Sequence, residues 1–416
     1  MTTAEEGEPL RRDIGFFGAS FLAFNGLVGA GIFVLPGTLH ARFGTLAPWL
    51  FPAYGLLALG IVVPYARVAR HFGRTGGPVA YAESLGPFAA FQAGWIYWVA
   101  RAAAFAANLN ILVAYLATLV PAFSGPSARA ALILAAVAAI AAVNIAGVRR
   151  AIRLLNLLTL LKAAPLIAAA LLALAWYGPP PAPSGLPEAG ALEASALLIL
   201  YAFVGFETAV VAAGETADAR RTIPRALILT VIGTALLYMI VQLGYSAAMP
   251  AGPAGDAPLV AWGERLIGPA GATLLTLAAI ASLLGNVSGG ITGTARTSYA
   301  MARDGLLPPV FAQVSPRYAT PVPSILVLSG LVALLALSGS FVWLAVMSTL
   351  ARMIVYALGI ATLPRLERGP LAWPLALTGL TLCAWAAAQA GTTAWLTLLA
   401  IAGVGTAIFA VGRTRR

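Results

Sequence analysis

The chain has 416 residues, of which 60% are hydrophobic and only 9% are charged, and its formal net charge is +11. Because about a quarter of the residues in ordinary soluble domains are charged, this composition excludes disordered proteins, nucleic-acid-binding proteins and typical soluble enzymes. Cys383 is the single cysteine, so a secreted domain held together by intrachain disulfides is excluded as well.

The apolar runs of the sequence predict an all-α integral membrane protein with twelve transmembrane helices. A helix crosses the bilayer with about 20 apolar residues, and these long Leu- and Ala-rich runs do not alternate as the strands of a membrane β-barrel do. No short apolar core with a small-residue cleavage site precedes the first run, so we expect that run to stay in the mature protein. The predicted spans cover residues 15–39, 46–66, 88–119, 128–147, 154–176, 192–216, 226–248, 270–298, 322–338, 341–363, 371–389 and 393–411.

The positions of the basic residues indicate the orientation in the membrane. Cytoplasmic loops of membrane proteins are enriched in Lys and Arg. Most of the 25 basic residues fall on one side of the predicted spans, whereas Arg42, Arg129 and Arg265 fall on the other. We therefore predict cytoplasmic tails at 1–14 and 412–416, in the cell membrane or, in a Gram-negative bacterium, the inner membrane. The positive charge then reflects topology, with the lipid bilayer and not a nucleic acid as the partner.

Four charged residues fall inside predicted spans and away from the span ends, namely Arg101, Lys162, Glu207 and Arg352. An ionisable side chain in hydrocarbon costs several kcal/mol unless it faces a cavity or a partner, so each of the four is a candidate functional residue. No cofactor is expected, and the two histidines of the chain show no metal-ligand spacing. We therefore predict no metal site.

Two of the predicted spans contain glycines typical of interrupted helices. Gly29 and Gly31 lie within the first span, and Gly205 lies within Tyr201–Glu207 of the sixth. Glycine lowers helix propensity, and unwound backbone inside a membrane persists only where it lines a cavity or is buried in protein. Interruptions at corresponding positions of two halves indicate a transporter with inverted repeats and a site near the bilayer midplane. The alternative is that these glycines serve only close helix packing.

Several motifs along the chain have the residue types and order of a known family of permeases. These motifs are Gly29–Phe33, Arg74–Tyr81, Gly94–Trp98, Phe203–Glu207, Arg220–Ala226, Arg296–Pro308 and Thr320–Ser324. With them, the chain resembles the amino acid–polyamine–organocation (APC) family. The resemblance implies a LeuT-type fold, a 5+5 inverted repeat with discontinuous helices 1 and 6. The first repeat would be 15–178, the second 192–363, and two peripheral helices, 11 and 12, would occupy 371–411.

The same resemblance implies alternating-access transport of an amino acid or related amine, bound by backbone groups. The amides near Ala30 and Gly31 would hold the carboxylate, and the carbonyls of Leu27, Tyr201 and Val204 would hold the ammonium. Small glycines would let the substrate approach closely. Tyr201 and Phe206 would be lids over the substrate, or else would serve only helix packing. The expected substrate-binding residues are Leu27, Gly29, Ala30, Gly31, Tyr201, Val204, Gly205 and Phe206.

Lys162 is the expected coupling residue, since it is the only lysine of the chain and resembles the fifth-helix lysine of family members that do not use sodium. A buried lysine can lose its proton near neutral pH, whereas an arginine does not. The resemblance implies proton coupling or exchange, with the ammonium reaching carbonyls near Asn25 and Ser282 or Ser288. The alternative is a lysine that snorkels to the membrane surface, for which its position about ten residues inside the span is unsuited.

For the other charged residues inside the spans, alternative functions stay open. Glu207 is expected to be a proton-responsive gate or a contact for a basic substrate group, or else a helix cap that secures the break. Arg101 and Arg352 would pair with Glu207, or would form a subsite for a second anionic group of the substrate. A passive channel and a membrane-embedded enzyme are the rival functions, but the spans contain no filter motif and no paired carboxylates.

Overall fold

The computed structural model describes residues 13–73, 76–147, 149–183, 185, 187–188, 190–250, 252–253 and 255–414, without the side chains of 149–162 and 413–414. This described part of the chain is helical and contains no β-strand beyond one isolated bridge between Ile14 and Thr216. The helices are α1 (Phe16–Leu27), α2 (Gly31–Phe43), α3 (Ala47–Ala69), α4 (Pro78–Ala82), α5 (Pro87–Leu119), α6 (Pro126–Ile145), α7 (Arg149–Tyr177), α8 (Ala191–Leu200), α9 (Thr208–Val211), α10 (Ala219–Ala248), α11 (Pro258–Ile267), α12 (Pro269–Arg303), α13 (Val322–Ser338), α14 (Phe341–Ile360), α15 (Leu363–Leu366), α16 (Ala372–Ala388) and α17 (Thr392–Thr414).

Within the described residues, seven helical segments are long and apolar enough to cross a membrane. These segments are Gly31–Ala69, Pro87–Leu119, Pro126–Ile145, Ala219–Ala248, Pro269–Arg303, Phe341–Leu366 and Thr392–Gly412. Shorter apolar helices lie at Phe16–Leu27, Ala163–Tyr177, Ala191–Phe203, Val322–Ser338 and Ala372–Ala388. Each apolar run predicted from the sequence overlaps at least one of these segments, so hydrophobicity located the helices. The number of membrane crossings stays a prediction.

Proline and glycine mark many of the helix boundaries. Helices α3, α5, α6, α11 and α12 carry a proline in their first turn, where the missing N–H is not needed by the helix. Gly268 separates α11 from α12 with a φ of 66°, a positive value that costs glycine little. The two helices therefore form a tight hairpin in which Gly263 and Gly271 bring their backbones into contact.

The helices around the first break fall into two groups by their packing. In one group, α10 packs against α1, α2 and α3. In the other, α12 and α13 pack against α5 and α6. Helix α7 packs against α10 and α12, and thus connects the groups, while α14 packs against α5. The two breaks described below lie between these groups.

Candidate functional site

The first helical run is interrupted at the predicted glycines. Helix α1 ends at Leu27 and α2 begins at Gly31, and Val28 between them has a non-helical backbone with φ −82° and ψ 85°. The Val28 amide still donates to a carbonyl of the preceding turn, that of Phe24. The chain therefore leaves the helix only over the residues from Val28 to Ala30.

The second interruption lies at the predicted Gly205. Helix α8 ends at Leu200, a 3-10 turn covers Tyr201–Phe203, and Val204 is extended with ψ 147°. Gly205 has a φ of 117°, a conformation that residues with a Cβ rarely adopt. The next α-helix, α9, begins only at Thr208 and has four residues. The distance along the chain from the end of α8 to the start of α9 is therefore longer than the first break.

The two breaks touch each other through their backbones at Gly26 and Gly205. A Cβ built on either glycine would collide with the carbonyl oxygen of the other. The hydroxyl of Thr208 fastens the contact, because its Oγ1 lies 2.8 Å from the Leu22 carbonyl oxygen and 2.9 Å from that of Gly205. The backbone of one break thus forms a wall of the other.

Gly29 and Gly31 are less constrained by packing than Gly26. A Cβ on Gly31 would meet Ala202 at 3.6 Å, which is ordinary contact, and a Cβ on Gly29 would lie 3.1 Å from Asn108 Oδ1. The strictest glycine requirement of the first break is therefore at Gly26, in the last turn of α1. That Gly29 and Gly31 admit the substrate stays a prediction.

A chain of side-chain amides satisfies the polar backbone of the first break. The amide of Ala30 donates to Asn108 Oδ1 at 2.9 Å, and the Tyr201 hydroxyl donates to the same oxygen at 3.3 Å. Asn108 Nδ2 in turn donates to Asn286 Oδ1 at 2.8 Å, and Asn286 Nδ2 donates to the Asn25 carbonyl at 2.6 Å. Asn108 therefore occupies the position at the Ala30 amide that the resemblance assigns to a carboxylate.

A small cavity lies between the two breaks. The carbonyl of Leu27, one of the lining residues, accepts a hydrogen bond from the Tyr238 hydroxyl at 3.2 Å. The cavity measures about 10 Å³, close to the volume that a single water molecule needs. A cavity of this volume does not hold an amino acid unless its lining moves. The lining residues are Gly26, Leu27, Gly29, Arg101, Ala104, Asn108, Tyr201, Val204, Asn286 and Arg352.

The charged residues predicted inside the spans, Lys162 excepted, form one buried cluster around Glu207. The Glu207 side chain is 0% exposed, and its Oε2 accepts hydrogen bonds from the Gly205 amide at 2.9 Å and the Tyr356 hydroxyl at 2.6 Å. Its Oε1 lies 3.1 Å from Arg352 Nε and 4.0 Å from Arg101 Nη1. The contact with Arg352 is an ion pair without hydrogen-bond alignment, since neither Oε1 nor Nε has a hydrogen-bond partner among the described residues.

Helix α14 supplies most of the groups that hold this cluster. Arg352 Nη1 donates to Ser348 Oγ at 2.7 Å, and that hydroxyl donates to the Ala100 carbonyl of α5 at 2.8 Å. The Tyr356 ring packs on Phe206, with 4.9 Å between the ring centroids. Through these contacts, α14 connects Glu207 of the second break to α5.

The structure separates the predicted site residues into those that it brings together and those that it does not. Both arginines lie near Glu207, as one of the two alternatives predicts. Glu207 accepts no hydrogen bond from the first turn of α9, so its side chain is not an ordinary helix cap. Phe206 packs against Tyr356, and its role as a lid stays a prediction. The side chain of Lys162 lies outside the described residues.

Five polar residues of the site were absent from the prediction of binding residues: Asn108, Asn286, Tyr238, Ser348 and Tyr356. Two of them have a recognisable pattern, because Ser348, Arg352 and Tyr356 recur every four residues on one face of an otherwise apolar helix. Tyr238 and Asn286 have no such local pattern. Their hydrogen bonds to the first break depend on the tertiary packing of α10 and α12 against α1.

Comparison with known proteins extends the similarity over both breaks. A family model described as amino acid permease matches residues 14–411. An uncharacterized transporter of Mycobacterium tuberculosis is 30% identical over 438 aligned residues, covering 98% of this chain and 93% of that protein, and one of Mycobacterium bovis has the same values. The cadaverine/lysine antiporter of Escherichia coli is 26% identical over 316 aligned residues, covering 73% of this chain and 70% of that protein.

Proposed function

Since the chain belongs to the amino acid permease family, we propose that it is a secondary active transporter that moves an amino acid or related amine by alternating access. It is a multi-pass membrane protein and a transporter, not an enzyme. One observation carries the mechanism: two interrupted helices meet at a cavity lined by their own backbone. Such breaks expose the amides and carbonyls that a zwitterion needs.

The proposed architecture has twelve membrane spans in a 5+5 inverted repeat, with 371–411 outside the repeat. The break between α1 and α2 opens the proposed first repeat, 15–178, and the break after α8 opens the second, 192–363. Their direct contact at Gly26 and Gly205 supports a site on the axis between the two repeats. The distribution of arginine supports cytoplasmic termini.

In the proposed binding step, the substrate replaces the side chains that are hydrogen-bonded to the backbone of the first break. Its carboxylate takes the Ala30 amide from Asn108, and its ammonium takes the Leu27 carbonyl from Tyr238. Because each exchanged hydrogen bond is replaced by one with a charged partner, the substrate gains interactions that the neutral side chains do not provide. The 10 Å³ cavity then widens by rotation of Tyr201 and Asn108.

The proposed motion rocks a bundle against a scaffold. The bundle consists of α1 to α3 with α8 to α10, and the scaffold consists of α5, α6, α12 and α13. Packing supports this division, since α10 joins α1 and α3 within the bundle, while α5 joins α12 and α13 within the scaffold. An ion pair of 3.6 Å between Arg296 of α12 and Glu215 connects the two groups at a half-exposed surface, where solvent weakens it. This contact is easily broken when the groups separate.

Proton coupling or exchange is the proposed source of energy, with Lys162 as the coupling residue. The sequence context of Lys162 supports this role. The E. coli relative is named an antiporter for cadaverine and lysine, which supports exchange of one amine-bearing compound for another.

Transport by the purified full-length chain tests the proposed function. We expect proteoliposomes to take up at least one radiolabelled amino acid, or cadaverine, with saturable kinetics, and to do so faster when loaded with that compound or placed in a pH gradient. Gly205→Ala is expected to abolish uptake, and Gly233→Ala, whose Cβ would meet nothing within 4 Å, is the matched glycine control. Single-channel currents or a chemically altered product would contradict the proposal in favour of a channel or an enzyme.

A further inference from the structure

The buried cluster beside the breaks holds more positive than negative charge. Among the described side chains, two guanidinium groups, of Arg101 and Arg352, share the single carboxylate of Glu207. Arg101 is 4% exposed and Arg352 is 1% exposed, so bulk water solvates neither charge. An uncompensated charge in such a position is strongly unfavourable unless a partner arrives to pair with it.

The unpaired share of the positive charge falls on Arg101. Glu207 Oε2 already accepts from the Gly205 amide and Tyr356, and Oε1 lies 3.1 Å from Arg352 Nε but 4.0 Å from Arg101 Nη1. Arg352 also donates to Ser348, whereas Arg101 Nε has no hydrogen-bond partner among the described residues. Arg101 instead rests over the Phe105 ring, with its guanidinium carbon 4.7 Å from the ring centroid.

Arg101 faces the cavity where the substrate is proposed to bind. Arg101, Ala104 and Asn108 recur at helical spacing on one face of α5, and all three line the cavity between the breaks. Asn108 accepts a hydrogen bond from the Ala30 amide, where the α-carboxylate is proposed to bind. Ala104, which lies between Asn108 and Arg101 on this face, adds only a methyl group to the cavity wall. A substrate side chain that reaches Arg101 meets a guanidinium that shares its only carboxylate among the described residues with Arg352.

We infer that the substrate carries a second anionic group, as a dicarboxylic amino acid does, and that this group pairs with Arg101. The inference rests on the proposed function and names the substrate class of the same site. A carboxylate fits because the planar guanidinium donates two parallel hydrogen bonds to it. A substrate with a cationic side chain is disfavoured, since it would add a third positive charge beside Arg101 and Arg352.

The test measures how well unlabelled compounds compete with the uptake of a radiolabelled amino acid by proteoliposomes that contain the full-length chain. The competitors are L-glutamate, L-aspartate, their amides L-glutamine and L-asparagine, and L-lysine, which vary the charge of the side chain with little change of size. We expect glutamate or aspartate to inhibit at concentrations at least about tenfold lower than its amide and than lysine. In Arg101→Gln, the preference for acid over amide is expected to disappear, while Arg101→Lys keeps the charge and retains part of it.

Arg42→Gln is the matched control, because it also removes one positive charge, from an exposed arginine that lies over an aromatic ring. It should leave the acid-to-amide ratio unchanged. If Arg101→Gln fails to fold, the competition series on the unaltered chain decides. Saturable uptake of a neutral or cationic amino acid, preferred over the acids, would overturn this inference alone. The absence of uptake for every amino acid and amine would overturn the proposed function together with it.

Discussion

Glu207→Gln is expected to destabilise the folded chain by about 3–5 kcal/mol, the range for removing one partner of a buried ion pair. Gln keeps the shape of the side chain and can still accept from Tyr356, but it leaves Arg101 and Arg352 without any counter-charge among the described residues. Thermal unfolding of the purified protein in detergent measures the effect as a lower midpoint temperature. The Glu207→Gln, Arg352→Gln double variant should regain part of the lost stability, because one of the two unpaired cations is removed with the anion.

Glu367→Gln is the matched control for this prediction. Glu367 also pairs with an arginine, with its Oε2 2.6 Å from Arg67 Nη2, but both side chains of that pair are partly exposed. Burial raises the pKa of Glu367, yet hydrogen bonds from His71 and Arg67 outweigh it and hold this pKa below its ordinary value, so the control also removes a negative charge. An exposed pair contributes about 0–1 kcal/mol. Equal destabilisation by the two variants would contradict the role given to the buried cluster.

Gly205→Ala is expected to prevent the two breaks from meeting and to abolish transport. The new Cβ would collide with the backbone of Gly26, which cannot rotate away as a side chain does, and a φ of 117° is strained for alanine. Backbone strain and overpacking each cost about 1–3 kcal/mol, so a loss of folded protein or of several degrees in the unfolding midpoint is expected. Gly26→Ala should behave similarly, although alanine favours the helix in which Gly26 lies.

Gly31→Ala is the control for this prediction, because it also replaces a glycine by alanine but causes no collision between the two breaks. Its Cβ would make only ordinary contact with Ala202, so the unfolding midpoint should stay close to that of the unaltered chain. A stable Gly205→Ala variant with normal uptake would show that the contact between the breaks is dispensable.

The sequence predicted the helices well because hydrophobic length is a local property. Each predicted apolar run overlaps a helix, and the glycines at Gly29 and Gly205 located both breaks. Local sequence sufficed for these features, since glycine lowers the stability of a helix at its own position. The side chain of Lys162, the coupling residue of the prediction, lies outside the described residues.

The contacts between distant segments were beyond sequence reasoning. Nothing local to Gly26 indicates that its neighbour is Gly205, 179 positions later. The hydrogen bonds of Asn108 to the Ala30 amide and to Asn286 likewise require that α5, α12 and the first break pack together. Pairing of the arginines with Glu207 was one of two open alternatives. Only the distances from each arginine to Glu207 show that Arg352 takes the larger share of the carboxylate.

Substrate protection of a cysteine in the cavity tests the central claim that the amino acid binds between the two breaks. Cys383 is buried and is the only native cysteine, so Cys383→Ser with Ala104→Cys gives a chain with one reactive thiol at the cavity wall. The exposed Ser124, changed to cysteine instead, is the control. We predict that the transported amino acid slows alkylation at position 104, with half of the effect at its transport KM, and leaves position 124 unchanged. Alkylation at position 104 that is as fast with saturating substrate as without it would contradict the account.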